Sequence, residues 1–177
     1  GGDRSVVIKR LLSGLLKDDE YRAMFDEESR LGLLIDSPNV VEVLDRGEQD
    51  GVPYLVLEYV FGVDLWQLGR WLARRQRRLD VPVAVFIATE LLAGLEAVHA
   101  VRDKEGNPLL AVHRDVSPQH ALVTFTGDVK LVDFGIARTS DSLGLSISGA
   151  APGKFGYMSP QQAAGGSPDA RSDQFSV

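Results

Sequence analysis

The chain has 177 residues, with no cysteine and only three histidines. Without thiols it can form neither disulfide bonds nor thiolate-ligated metal sites, and a reducing compartment is permitted. The longest apolar runs are far short of the roughly 20 residues that a membrane-spanning helix requires, and residues 1–10 lack the layout of a signal peptide. We therefore expect a cytoplasmic globular piece without a membrane segment.

Positive charge is also scarce, since 19 basic residues face 25 acidic ones and give a formal charge of −6. This balance argues against nucleic acid or an anionic membrane as the main partner. One basic run stands out, formed by Arg70, Arg74, Arg75, Arg77 and Arg78. Because apolar residues accompany it on a predicted surface helix, namely Trp66, Leu68, Trp71 and Leu72, the run favours a helix with one solvated and one packed face over a nucleic-acid surface.

The first third of the chain has the pattern of strands around one helix. Residues 6–9 are β-branched and predict a buried strand, and residues 40–44 and 54–59 predict two more. A helix is predicted over residues 19–35, with Glu28 on the same face as its apolar residues. A carboxylate on a buried face needs a cationic partner.

The pattern becomes mainly helical after Gly62. Helices are predicted over residues 65–78 and 83–101. The second is expected to place one set of residues on its packed side, namely Phe86, Ile87, Leu91, Leu95 and Val98. Together with the strand-rich first part, these helices predict an α+β fold.

A short hairpin follows the helices. Residues 121–125 and 129–132 predict two strands around a turn that contains Gly127. Because Asp115 and Asp133 flank this hairpin, we expect the two carboxylates to lie close together.

Four motifs resemble the protein-kinase signature set in order and spacing. Val6-Val7-Ile8-Lys9 is similar to V-A-I-K, His113-Arg114-Asp115 to H-R-D and Asp133-Phe134-Gly135 to D-F-G, and Ser159-Pro160-Gln161 occupies the place of A-P-E. The match covers nearly the whole chain, which is identified as a member of the eukaryotic-type serine/threonine protein kinases of bacteria. The resemblance implies a two-lobed fold, with a partial N-lobe over residues 1–59, lacking the Gly-rich loop, and a partial C-lobe over residues 60–177 that ends near the start of the central helix.

The resemblance also implies ATP and Mg²⁺, or Mn²⁺, as cofactors and assigns roles around the phosphates. Lys9 would contact the α- and β-phosphates and pair with Glu28. Asp133 would hold the metal, because hard cations prefer oxygen ligands. Asp115 would orient the acceptor hydroxyl and accept its proton.

By the same resemblance the adenine ring would meet the segment after the third strand. Glu58, Tyr59 and Val60 would bind it through their backbone groups, Leu57 would limit the depth of the pocket, and Asp64 would lie near the ribose.

The sequence departs from the family pattern at several positions. His120 stands where the family has the Asn that binds a second metal, and an imidazole suits Mn²⁺ better than Mg²⁺. Gln161 replaces the A-P-E carboxylate. Ser117 and Lys154 stand where the family usually has Lys and Thr, so we expect Lys154 to return an ammonium group to the side of Asp115 that faces the γ-phosphate.

The predicted function is transfer of the ATP γ-phosphate to Ser or Thr hydroxyls of proteins in bacterial signalling. The alternative is a pseudokinase that binds nucleotide or partners without catalysis, and a third reading is an incomplete gene product that does not fold stably. Substrate and oligomeric state stay open. Candidate phosphate acceptors, unless they belong only to a polar loop, are Thr139, Ser142, Ser146 and Ser148.

Two further interpretations concern the histidines. His113 and His99 are expected to be packed structural residues and not ligands or bases. A hydrolase metal cluster of His113, Asp115, His120 and Asp133 is disfavoured, because the His pairs at helical spacing that are typical of zinc sites are absent from the sequence.

Overall fold

The computed structural model describes residues 4–133 and 154–177. Its first sheet is antiparallel, in the order β1-β3-β2, with β1 at Val6–Arg10, β2 at Val43–Gln49 and β3 at Val52–Glu58. All three predicted strands are present. The second begins three residues later than predicted, because Val40 bridges Leu131 of a different sheet.

The strand β1 lies at the edge of this sheet and is exposed, so the prediction that it is buried is wrong. Val6 is 42% exposed and Ile8 is 50% exposed. Within the described residues β1 pairs only with β3. A β-branched run indicates an extended backbone, but it does not tell whether another layer covers the strand.

Helix α1, Asp19–Gly32, packs on the sheet and begins at a side-chain cap. Asp18 accepts hydrogen bonds from the backbone N–H groups of Glu20 and Tyr21. The helix ends at Gly32, three residues earlier than predicted. A Cβ atom at this position would lie 2.6 Å from Val43 Cγ2, so glycine permits the close approach of α1 to β2.

The second sheet is also antiparallel, in the order β4-β5-β6, with β4 at Gly62–Asp64, β5 at Ala121–Thr124 and β6 at Val129–Leu131. The predicted hairpin is confirmed as β5 and β6. Two backbone hydrogen bonds of 2.8 Å, Val41 N–H to Leu131 O and Leu131 N–H to Asn39 O, join the segment 39–41 to β6. The segment before β2 therefore connects the two sheets.

Helix α3, Val81–His99, packs beside β6. Four of its apolar residues are buried as predicted, namely Ile87, Leu91, Leu95 and Val98. The prediction for Phe86 is wrong, since this side chain is 48% exposed. Phe86 is one residue, or about 100° of helical rotation, away from Ile87 and falls on the flank of the packed stripe.

By length and composition α3 could also cross a bilayer, although the sequence predicts no membrane segment. Core helices of soluble proteins share this length and composition, so a single such helix is weak evidence for a membrane span. One stripe of α3 is buried against β6, whereas Val83, Val85, Phe86 and Leu92 on the same helix are exposed.

Helix α2, Leu65–Arg74, ends four residues earlier than predicted and none of its residues is buried. The expected packed face is wrong for both tryptophans, since Trp66 is 40% exposed and Trp71 is 47% exposed. The guanidinium of Arg75 lies 4.1 Å from the centre of the Trp71 ring. Trp71 therefore contacts a cation at the surface and not the core.

Three short helices lie in the last described range, residues 154–177. A 3₁₀ helix covers Lys154–Tyr157, α4 covers Pro160–Ala163 and α5 covers Ala170–Phe175. The two sheets fall on either side of residue 60, while the division into lobes at that residue stays a prediction.

Candidate active site

Lys9 joins three elements that are distant in sequence. Its Nζ lies 2.6 Å from Glu28 Oε1 on α1 and 2.9 Å from Asp133 Oδ1, two residues beyond β6. The cationic partner expected for the inward-facing Glu28 is therefore Lys9. The structure brings together three of the residues predicted for the site.

The ionisation of these three groups is coupled. Burial favours a neutral Lys9, but the charges of Glu28 and Asp133 outweigh it and raise its pKa. Burial also opposes ionisation of Asp133, yet the neighbouring Lys9 lowers the pKa of this carboxyl below its ordinary value. For Glu28 burial prevails and raises the pKa despite the same lysine. Asp133 is thus the more readily ionised carboxylate, as a metal ligand requires.

Asp115 lies in the segment that leads to a second 3₁₀ helix, Pro118–His120. His120 Nδ1 is 2.7 Å from the backbone oxygen of Asp115 and 3.3 Å from its Oδ2. The backbone oxygen of His120 also accepts a hydrogen bond from Val132 N–H, next to Asp133. This loop therefore places His120, which contacts Asp115, beside Val132, the residue before Asp133, while the proximity of the Asp115 and Asp133 carboxylates stays a prediction.

Asp173, which the sequence reasoning missed, fixes the start of this loop. Its buried carboxylate accepts hydrogen bonds of 2.8 Å from the backbone N–H groups of His113 and Arg114, and His99 Nε2 lies 2.8 Å away. These contacts hold Arg114 at a φ of 66°, which is unfavourable for a residue other than glycine. The signal in the sequence is weak, because Asp173 is a single acidic residue near the end of the chain.

The structure places the two histidines that were predicted to be packed structural residues. His113 is fully buried, and burial lowers its pKa to about 4, so the ring is neutral at physiological pH. His99 is half-buried and contacts Asp173.

The donors fit a divalent cation that is completed by other ligands. His120 Nδ1 faces a carbonyl oxygen, so it carries the hydrogen and leaves a lone pair on Nε2, an arrangement typical of metal-binding histidines. Over residues 4–133 and 154–177 no group of three His, Asp or Glu residues could hold a metal. This finding disfavours the hydrolase cluster. Asp133 and His120 would hold a metal that phosphate oxygens and water complete.

The segment predicted to bind adenine has free backbone donors. Among the described residues the N–H groups of Tyr59 and Val60 make no hydrogen bond. The side chain of Glu58 instead turns to Lys130 Nζ, 2.6 Å away, and accepts a hydrogen bond from the N–H of Glu42. Tyr59 and Val60 can therefore offer their backbone N–H groups to a ligand, while the side chain of Glu58 is held by Lys130 and Glu42.

Leu57 is buried, and behind it lies a cavity of about 10 Å³ that Asp133 and Val132 also line. That volume holds about one water molecule. That Leu57 limits the depth of an adenine pocket stays a prediction. The carboxylate of Asp64 accepts a hydrogen bond of 2.7 Å from Gln67 N–H and caps α2. A contact of Asp64 with ribose stays a prediction.

Several predicted residues lie outside the described part of the structure. They are the side chain of Lys154, and Phe134, Gly135, Thr139, Ser142, Ser146 and Ser148. Ser117 is described, is 3% exposed, and its Oγ has no hydrogen-bond partner there. A hydroxyl so deeply buried does not replace the lysine that the family usually has at this position.

Helix α4 also contacts the loop that carries His113, Arg114 and Asp115, which we name the catalytic loop. Gln162 Nε2 donates to the backbone oxygen of Arg114 at 2.9 Å, and its Oε1 accepts from Ser159 in a capping box. Gln161, which replaces the A-P-E carboxylate, reaches Asp169 at 3.5 Å in the described structure. The residue that connects α4 to the loop is Gln162.

The comparisons with known proteins agree with this geometry. The family model described as "Protein kinase domain" matches residues 2–177. A protein of Myxococcus xanthus named tyrosine-protein kinase MasK is 36% identical over 177 residues, which are 100% of this chain and 27% of that protein. The serine/threonine-protein kinase PknB of Mycobacterium leprae is 35% identical over 179 residues, which are 98% of this chain and 27% of that protein.

A solved structure shares both fold and sequence. The PknI kinase domain of Mycobacterium tuberculosis superimposes with a TM-score of 0.68 and 31% identity, covering 97% of this chain and 59% of that one. This chain spans about a quarter of the length of the curated relatives named above. Its family model, its relatives and the geometry around Lys9 agree, and the chain belongs to the protein kinase domain family.

Proposed function

We propose that this chain is the central part of a bacterial protein kinase that transfers the γ-phosphate of ATP to Ser or Thr hydroxyls of proteins. The observation that carries the proposal is the contact of Lys9 with both Glu28 and Asp133. Phosphoryl transfer needs a cation on the phosphates and a carboxylate for the metal in one cleft. The arrangement supplies both.

Each residue of the site has one task in this reaction. ATP supplies the phosphoryl group, and bound Mg²⁺ or Mn²⁺ would supply much of the positive charge that neutralises the phosphates. Glu28 holds the Lys9 ammonium toward the phosphates, and the free N–H of Val60 is available to adenine. Asp133 and His120 would hold the metal. Asp115 accepts a hydrogen bond from the acceptor hydroxyl and receives its proton.

The test is phosphate transfer by the natural full-length protein, followed by intact mass on three peptides that differ only in a Ser, Thr or Tyr acceptor. We expect transfer to Ser and Thr, and loss of transfer in Asp115→Asn. The tyrosine peptide is included because one relative is named a tyrosine-protein kinase. Transfer to Tyr alone would contradict the proposed acceptor class.

The competing function is a pseudokinase, which His120 and Gln161 suggest. The relatives do not favour it, because they are named protein kinases. Absence of transfer with either Mg²⁺ or Mn²⁺, and its recovery in His120→Asn, would support the pseudokinase. We place the active protein in the cytoplasm, where ATP is available, which is consistent with a chain free of cysteine.

A further inference from the structure

Five arginines form a cationic surface between residues 70 and 78, which we name the arginine segment. Its members are Arg70, Arg74, Arg75, Arg77 and Arg78, and all are exposed. Over the described ranges none of them has an acidic partner. Outside the segment Arg4, Arg22, Arg30 and Arg171 each pair with a carboxylate, whereas the scattered Arg10, Arg46 and Arg102 have no such partner over the described residues. The arginine segment therefore stands out by its density of unpaired arginines, because all five lie between positions 70 and 78.

Stability of the chain does not explain the segment. Like charges so close in sequence repel one another and weaken a folded state. Arg74 lies in the last turn of α2, where a cation is favourable, and Arg75 covers Trp71. The remaining three arginines have no such compensation.

Residues that flank the arginine segment pack close to the residue that follows Asp115. Leu65 and Leu79, on either side of it, pack against the same buried cluster, to which Val116 belongs. Val116 directly follows Asp115. Helix α2 also lies beside the 3₁₀ helix that ends at His120. A partner seated on the arginine segment would therefore be held close to the site of transfer.

We propose that the arginine segment is a docking surface for an acidic stretch of the protein that is phosphorylated. The inference rests on the proposed kinase function. Charge complementarity selects the partner: a chain with a charge of −6 repels acidic proteins in general, and this segment offers guanidinium groups that bind carboxylates in bidentate fashion. A site beside the catalytic loop points to a substrate, whereas the overall negative charge disfavours a membrane or nucleic acid.

The experiment uses the full-length protein and two acceptor peptides with one Ser-containing core, extended by either a Glu- and Asp-rich stretch or a neutral stretch of equal length. The variant reverses three charges, Arg74→Glu, Arg77→Glu and Arg78→Glu. Its matched control, Lys17→Glu, Arg46→Glu and Lys104→Glu, changes the net charge equally at exposed positions outside the segment. We expect kcat/KM for the acidic peptide to fall about tenfold in the segment variant, mainly through KM, because three exposed ion pairs are lost.

The control variant and the neutral peptide decide what the loss means. Transfer to the neutral peptide should be nearly unchanged in both variants, and the effect on the acidic peptide should shrink at high salt. An equal loss in the control variant would overturn the docking surface, since net charge alone would then explain it.

A binding measurement separates the docking surface from the kinase activity. Fluorescence anisotropy of the labelled acidic peptide should show weaker binding by the segment variant than by the wild type. If this difference is seen but neither peptide is phosphorylated, the proposed function fails while the docking surface stands. Equal peptide affinity in wild type and segment variant would overturn the inference. The inference would also be overturned if the segment variant kept its affinity for the peptide but lost binding to phosphatidylserine vesicles or duplex DNA. That result would assign the segment to a membrane or to nucleic acid.

Discussion

At the scale of the residue, Glu28 and its neighbour Glu27 offer a comparison within one turn of α1. Glu28 is buried and pairs with Lys9, whereas Glu27 is half-buried, with 44% of its side chain exposed, and pairs with Arg30. We expect Glu28→Gln to reduce kcat for phosphate transfer by about 10²-fold, because a misplaced cation no longer stabilises the transferring group. Glu27→Gln removes only an exposed ion pair and should leave kcat within about twofold. Equal effects of the two variants in steady-state kinetics would contradict the role of Lys9 and Glu28.

Lys154 carries a second prediction at this scale. Ser117 stands where the family usually has a lysine, and its side chain is buried. An ammonium group near Asp115 would therefore have to come from another part of the chain. We expect Lys154→Thr to reduce phosphate transfer about tenfold or more while the affinity for ATP changes little. Transfer rates and nucleotide titrations of the same preparation provide the measurement, with Lys104→Thr as the control. Equal loss of binding and transfer would show that Lys154 only holds the nucleotide.

The buried His113 predicts how stability depends on pH. Its pKa is about 4 in the folded chain, while an unfolded histidine has about 6.5, so the unfolded state binds more protons between these values. This contribution to the free energy of unfolding is fully present above about pH 6.5, and about 3 kcal/mol of it is lost as the pH falls to about 4 and below. Urea unfolding at several pH values should show the slope, and His113→Phe should flatten it. An unchanged slope in that variant would assign the pH dependence to other groups.

At the scale of the element, the contact between α3 and the segment 39–41 sets how the two sheets meet. A Cβ atom on Gly94 would lie 2.7 Å from the backbone oxygen of Asn39, the same oxygen that accepts the hydrogen bond from Leu131. Because both α3 and the segment 39–41 meet here through their backbones, neither can shift easily to make room for a methyl group. We expect Gly94→Ala to lower the free energy of unfolding by roughly 1–3 kcal/mol, as overpacking does.

Gly69 on α2 is the matched control, because nothing lies within 4 Å of the Cβ atom that it would gain. Gly69→Ala should raise stability by roughly 0.5–1 kcal/mol through helix propensity alone. Thermal or denaturant unfolding of both variants measures the difference. The same sign in both would contradict the close packing of α3.

The sequence predicted which segments form strands and helices more reliably than it predicted which of their residues are buried. The strands and helices follow from local patterns of apolar residues, and the pairing of Glu28 with Lys9 follows from one carboxylate on a packed face. The exposure of β1, Phe86 and Trp71 depends on which layers cover them, which a local pattern does not contain. Asp173 was missed for the same reason, since its partners are some 60 residues away.

At the scale of the whole molecule, the candidate site is assembled from nearly the full length of the described chain. Lys9 lies on β1, Glu28 on α1 and Asp133 beyond β6, and α5 contributes Asp173. The family resemblance predicted the roles of the first three, because motifs keep their order. The conformation that brings them together comes from contacts such as the one between Asn39 and Leu131.

The anchoring of the catalytic loop by Asp173 has a consequence for synthesis on the ribosome. The backbone amides of His113 and Arg114 find their acceptor only when residue 173 has left the exit tunnel, so a shorter nascent chain has the loop without the contact that fixes it. At about 5–20 residues per second, the 60 intervening residues take several seconds to add. During that interval the growing chain already carries Lys9 and Asp115, but the strained backbone at Arg114 still lacks the hydrogen bond from its N–H to Asp173.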